Sequence, residues 1–248
     1  MWLTASTRCV GWSGRSCAAA PTGSRSWPPA GSSRPATATS NPEFSADELG
    51  VAVTEAGRRG KPVMVHALGG PAIGTAVAAG ARSIEHGIWL TEADAADMAA
   101  AGAFLVPTLG IYRHLAAQAA IPGSLPPAAT ARAIAAGQTL VEAVRIARAA
   151  GVPIALGTDF AHRDMHGRNL GEITELVGAG LSPVQALLAA TANGADLCGV
   201  GDVTGRLTVG RRLDAIVLDV DPSDPEIFTD PDSVGEVFLR GLLVRPPP

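Results

Sequence analysis

Cysteine is scarce in this chain, and the shortage excludes two chemistries. Cys9, Cys17 and Cys198 are the only three in 248 residues, with no CxxC pair among them, so neither a disulfide framework nor a thiolate zinc site is expected. Aromatics make up only 4%. With 29 glycines and much alanine, that balance suits a helix-rich α/β protein with close helix–sheet packing better than a β-sandwich. No apolar run approaches the roughly 20 residues that span a bilayer. Serine, glycine and arginine break every apolar stretch near the N-terminus, so no secretory signal pattern is read there. Nor is there an excess of positive charge. The formal net charge is −4, which makes no electrostatic case for nucleic acid or an anionic membrane surface. A cytoplasmic protein acting on a small molecule is the expectation, with a homo-oligomer left open. What is plentiful is apolar sequence, 47% of the chain, enough to bury a sizeable core.

A second absence divides the chain. Residues 1–40 contain no Asp, Glu, Lys, His, Asn, Gln, Ile, Phe or Tyr, yet hold three of the four Trp and two of the three Cys. All 23 acidic residues and 15 of the 19 basic ones lie in 41–248, which therefore carries net −8. One reading is a disordered Ser/Pro/Ala/Arg tail, although Trp and Cys are unusual in such tails. The sharper reading is coding sequence translated out of frame. Shifted back by one base with permitted codons, residues 24–31 become Ile-Lys-Val-Met-Ala-Thr-Gly-Gly. The segment before them then reads as an amphipathic helix, a glycine stop and a strand.

From residue 43 onward helical and strand signals alternate as in successive βα units. Ser45 with Glu48 predicts a capping box and a helix over 46–59. Lys61–His66 reads as a strand, 71–79 as a helix closed by Gly80, and Arg82–His86 as the next strand. Thr91 caps a helix through Ala101, with Gly102 as its stop, and Phe104–Leu109 is a strand. Residues 110–127 read as an interruption before a helix over about 128–150. Pro153–Thr158 reads as a further strand, 160–169 as a polar loop, and 170–179, 183–191 and 193–198 as helices. Residues 205–222 and 234–244 alternate as β-strands. The expected fold is α/β, a partial (β/α)8 barrel over 41–200 with a small β-rich appendage over 201–248.

Reactive residues of parallel α/β folds gather at the C-terminal ends of strands. There the sequence places His66, His86 and Asp159, all metal-ligand types. Each has a plainer alternative, since a lone histidine is usually structural and Asp159 could cap a helix. Three at matching strand ends favour a divalent cation, zinc by preference, with Asp159 also serving as general acid/base. By alternation, Glu85 should face the helix layer. His114 reads as a solvated loop residue. Tyr112 and His166 overhang the same mouth and are candidate substrate contacts, with packing or solvation as the alternatives; His162 shares the His166 loop.

Ser-Ile-Glu-His-Gly at 83–87, Phe-Leu-Val-Pro-Thr-Leu at 104–109, Leu-Gly-Thr-Asp at 156–159, Gly-Arg-Leu-Thr-Val-Gly at 205–210 and Asp-Ala-Ile-Val-Leu-Asp at 214–219 resemble the amidohydrolase superfamily. The branch they resemble is the imidazolonepropionase-like and Xaa-Pro dipeptidase-like one. The resemblance covers most of 41–248. It implies that the His66, His86 and Asp159 strands correspond to strands five, six and eight of the barrel. It also implies that His66, His86 and Asp159 bind metal and that Tyr112 touches substrate. The family's first-strand His-x-His pair has no counterpart here. The carboxylated-lysine slot falls at Arg25, whereas the out-of-frame string restores a lysine. The leading expectation is a metal-dependent hydrolase of amide or dipeptide C–N bonds, inactive as this truncated chain. The alternatives are a cyclic-amide hydrolase or a non-catalytic βα scaffold. Resequencing the coding DNA around residues 20–42 is expected to reveal one inserted or deleted base; an intact frame there would leave the disordered-tail reading.

Overall fold

The structure, a computed structural model, describes residues 44–121, 127–160 and 165–245, with the short strands β1 (Leu3–Thr4), β2 (Arg8–Cys9) and β3 (Cys17–Ala19). β1 and β2 pair antiparallel, and β3 pairs in parallel with a later strand. Arg25 and His162 lie outside the described residues.

From residue 44 the elements form for local reasons. Helix α1 (Ala46–Gly57) begins at Ser45, whose hydroxyl accepts the Glu48 N–H while the Glu48 carboxylate accepts the Ser45 N–H. This box satisfies donors that the first helical turn leaves orphaned. Asp47 and Glu48 also suit the positive end of the helix dipole. Leu49, Ala52 and Ala56 recur at helical spacing and are buried. Strand β4 (Val63–Gly69) buries Val63, Val65, Ala67 and Gly69, leaving Met64, His66 and Leu68 on its other face. Next come helix α2 (Pro71–Ala78), strand β5 (Ser83–Trp89), helix α3 (Glu92–Ala101) and strand β6 (Phe104–Val106). α3 opens with a Thr91–Asp94 capping box and stops at Gly102, whose φ is 65°.

Strands β3, β4, β5 and β6 form one parallel sheet in that order, so all their C-terminal ends point the same way. Regular β4–β5 pairing ends at Ala67↔His86 and resumes, across an irregularity, at Gly69↔Trp89. The two histidines expected at strand tips therefore sit at the last regular rungs, three residues before each strand stops.

Two expectations fail here. Residues 110–127 are not an interruption, because helix α4 (Leu109–Ala119) occupies most of them before helix α5 (Pro127–Ala149) begins. Thr108 stands at the N-cap of α4 but its side chain makes no capping hydrogen bond, so α4 begins without the local box that opens α1 and α3. Pro153–Thr158 is not a strand but a single parallel bridge, Leu105↔Ile154. Its outer bonds go instead to helical partners. The Leu156 N–H donates to the Ala189 carbonyl and the Asn193 amide donates to the Ile154 carbonyl.

Helices α6 (Gly171–Gly178), α7 (Pro183–Leu188) and α8 (Gly194–Leu197) follow, with a π-helical turn, Ala189–Asn193, joining the last two. The chain closes in an antiparallel sheet of β7 (Ala215–Leu218), β8 (Val234–Leu239) and β9 (Leu242–Arg245). Within the expected strand at 205–222 only β7 is a strand, and the expected strand at 234–244 is a hairpin turning at Arg240–Gly241, both with positive φ. No helix among the described residues is long and apolar enough to cross a membrane.

α5 packs on both α4 and β5. Its Ala136, Leu140, Ala143, Val144 and Ala147 form one buried stripe. Leu140 is fully buried, so Leu140→Ala is expected to lower unfolding stability by about 2–5 kcal/mol. Urea titration of both proteins measures it, and a loss under ~1 kcal/mol would contradict this packing.

Candidate active site

Residues paired across a parallel sheet share a face. The β4–β5 register pairs His66 with Glu85, so the face that carries His66 also carries Glu85. His86, one residue on, pairs with Ala67, a buried residue of the opposite face. Its backbone leaves the β region at this point. His86 has φ 71° and Gly87 φ 59°, two successive left-handed residues. The His86 ring thereby meets the His66 ring edge-on, with centroids 4.5 Å apart and planes at 72°. Gly87 is required twice over, because a Cβ there would also lie 2.7 Å from Leu105 Cδ1.

Three of the four non-glycine residues with positive φ among the described residues are His86, Thr108 and Asp159. Each such residue costs on the order of 1–3 kcal/mol, and such strain concentrates at functional sites. Thr108 stands between β6 and α4, and its Oγ1 is 2.7 Å from His86 Nδ1. Tyr112, one turn into α4, packs edge-on against His86 at 5.5 Å and 75°.

Burial sets the electrostatics. It pushes the His86 pKa down to about 3, with the nearby His66 charge acting in the same direction. His66 also titrates below the usual histidine range because of desolvation. His66 keeps some exposure to solvent, but the protein around its ring is enough to disfavour the imidazolium. Glu85 is pushed up to about 7 by burial, with the Asp159 charge adding to the rise and a 2.6 Å hydrogen bond donated by Ser83 Oγ opposing it. Burial, then the Asp159 charge, keeps the Tyr112 hydroxyl protonated well beyond the usual tyrosine range. Desolvation likewise raises Asp159 itself.

The structure thus brings His66, His86 and Tyr112 together, and Asp159 lies close enough for its charge to be felt at Glu85 and Tyr112. It does not gather the three expected ligands around one point. Among the described residues no group of three or more His, Cys, Asp or Glu side chains is set to hold a metal ion. The pair of neutral imidazoles suits a divalent cation as part of a ligand set.

Glu85 corrects the expectation that it faces the helix layer. Simple alternation fails because the left-handed step at His86 lets two successive residues reach the same side. His166 is exposed, and its Nε2–H donates to the Phe160 carbonyl at 3.2 Å, so it pins the loop after Asp159. His114 is not on a loop. It lies in α4 and lines a cavity of about 280 Å3 with Phe160, Met165 and Arg168. Thr108, which touches His86, and Glu172 were not singled out by the sequence. Glu172 is buried and accepts the N–H groups of Leu109 and Gly110.

The amidohydrolase family pattern matches residues 35–244. The chain is 32% identical over 207 residues to the ochratoxinase of Aspergillus niger, across 83% of this chain and 42% of that protein. A solved structure of a Xaa-Pro dipeptidase with methionine bound in its active site is similar at a TM-score of 0.77 and 29% identity, over 85% of this chain and 51% of that one. A prolidase complexed with N-methylphosphonate-L-proline gives 0.75 and 36%, over 82% and 50%. The chain spans about half the length of the proteins it matches.

Glu85 and the histidines act oppositely on stability. A carboxyl raised in the folded state binds more protons folded than unfolded, so its contribution falls as pH rises from 4.5 to about 7. A buried histidine binds fewer protons folded than unfolded between about pH 3 and 6.5, so its contribution rises with pH there. Glu85→Gln removes the first effect. Its urea-unfolding free energy is expected to climb more steeply with pH between 4.5 and 7 than that of the parent. Parallel curves would show that Glu85 is not desolvated.

Proposed function

The chain belongs to the amidohydrolase family, and on that premise we propose that the intact protein is a metal-dependent hydrolase of amide bonds, of the Xaa-Pro dipeptidase type. The observation carrying this reading is the meeting of His66 and His86, two imidazoles held neutral 4.5 Å apart on adjacent parallel strands. Neutral imidazole is the form that ligates metal. The dipeptidase and prolidase neighbours support a peptide-like substrate, and the parallel strands β4, β5 and β6 are read as part of a (β/α)8 barrel.

His66 and His86 would hold the cation, zinc by preference. When bound, it supplies water of lowered pKa near neutral pH. Asp159, whose carboxyl desolvation already biases toward the protonated form, would take a proton and return it to the leaving amine. Tyr112 keeps its phenolic proton and would donate it in a hydrogen bond to a substrate oxygen. Glu85, under the same face, is a second carboxyl within electrostatic reach of Asp159.

Two imidazoles and one carboxylate that is not gathered with them make an incomplete ligand set. The resemblance assigns the missing ligands to a first-strand His-x-His pair and a lysine, neither of which this chain offers. We therefore propose that the 248-residue chain is itself inactive, with residues 1–40 out of frame. In support, the family match leaves residues 1–34 outside it.

Purified full chain supplied with zinc or manganese is expected to hydrolyse Xaa-Pro dipeptides no faster than the metal salt alone. Clear turnover would refute the inactivity. Metal analysis is expected to show weak, substoichiometric zinc that His86→Ala abolishes. Zinc content unmoved by that substitution would leave the histidines structural.

A further inference from the structure

A threonine at a helix N-cap ordinarily adopts extended backbone, and its hydroxyl accepts an N–H of the first turn. Thr108 departs on both counts. It lies in the left-handed region, φ 54° and ψ 49°, and caps nothing in α4 with its side chain. Its Oγ1 meets His86 Nδ1 instead. The orphaned donors of α4 are satisfied from elsewhere in the chain. Glu172, on α6 and 1% exposed, accepts the Leu109 N–H on Oε1 at 2.6 Å and the Gly110 N–H on Oε2 at 2.9 Å. Residue 110 must lack a side chain for this approach. A Cβ there would lie 2.8 Å from Glu172 Oε2 and 3.1 Å from the ring of Phe160, the neighbour of Asp159.

We propose that Glu172 is a positioning residue for His86: it caps α4 in place of Thr108 and so reserves the Thr108 hydroxyl for the imidazole. In the arrangement proposed, Nδ1–H donates to Oγ1 across the 2.7 Å contact, a sense that the heavy-atom positions leave to the tautomer, so that Nε2 is the nitrogen presented for coordination. The same clamp sets the start of α4, hence Tyr112 against His86. A second tie between the helices, Arg113 to Glu175 at 2.8 Å, is solvent-exposed on the arginine side and contributes little. The clamp itself depends on no metal. Its consequence for coordination rests on the metal-dependent reading above.

The test uses nitrogen NMR of the isotope-labelled full chain, reading the His86 tautomer and the exchange of the Leu109 and Gly110 amides. In the parent, His86 is expected in the Nδ1-protonated form, with both amides protected. Glu172→Gln keeps the shape and one acceptor, and is expected to speed exchange of one amide about tenfold and to mix the His86 tautomers. Thr108→Val should mix the tautomers but leave the amides protected, while Thr108→Ser should restore the parent tautomer. If Glu172→Gln speeds amide exchange but leaves the tautomer unmoved, Glu172 is a helix cap alone and the proposal fails. Should Glu172→Gln not fold, Gly110→Ala displaces the carboxylate directly and is judged by the same outcomes. Zinc titration forms a separate arm, in which Glu172→Gln should weaken binding about tenfold. No zinc binding by the parent, with the tautomer response intact, would remove the consequence for coordination in this chain and leave the positioning role standing. Zinc binding with an unresponsive tautomer would do the reverse.

Discussion

The β4–β5 register governs the arrangement of this site. It lays His66 and Glu85 across from each other on one face, and a regular strand would then send His86 to the other. Two successive left-handed residues, His86 and Gly87, break that alternation. The strain is local and is opposed by what the turn gains: an edge contact with His66, another with Tyr112, and a hydrogen bond with Thr108. Packing of β5 between β4 and β6 holds the distorted strand in place, since relaxing His86 to extended backbone would break those contacts together.

The charges in the mouth follow from the same burial. Desolvation moves the groups around the histidines toward neutrality. The imidazoles lose affinity for protons, while Glu85, Asp159 and Tyr112 hold theirs more tightly. Positive charge placed among them would reverse the carboxyl shifts and leave the imidazoles neutral. Among the described residues, the side chains around the two histidines make up no full metal-ligand group of their own.

α4 shows how a distant contact can decide an element. Its first turn has no local cap, and its start depends on Glu172, more than sixty residues later in the chain. α6 must already be packed nearby before α4 can begin where it does. The Thr108 hydroxyl is available to His86 only under that condition, so the packing of the two helices and the orientation of an imidazole become one event.

Local signals in the sequence were sufficient for much of the fold. Ser45 and Thr91 each cap a helix with a partner three residues on, Gly102 ends one in left-handed backbone, and the buried stripe of α5 repeats at helical spacing. Each depends on residues within a turn or two of one another, so the sequence by itself determined them, along with the strands that carry His66 and His86. Tertiary structure alone decided the rest. The face taken by Glu85 depends on inter-strand register and the turn at His86. The replacement of the expected strand at 153–158 by one bridge depends on Ala189 and Asn193 claiming its backbone groups. The start of α4 depends on Glu172. In each case the deciding partner is distant in the chain, and a pattern read along neighbours carries no record of it.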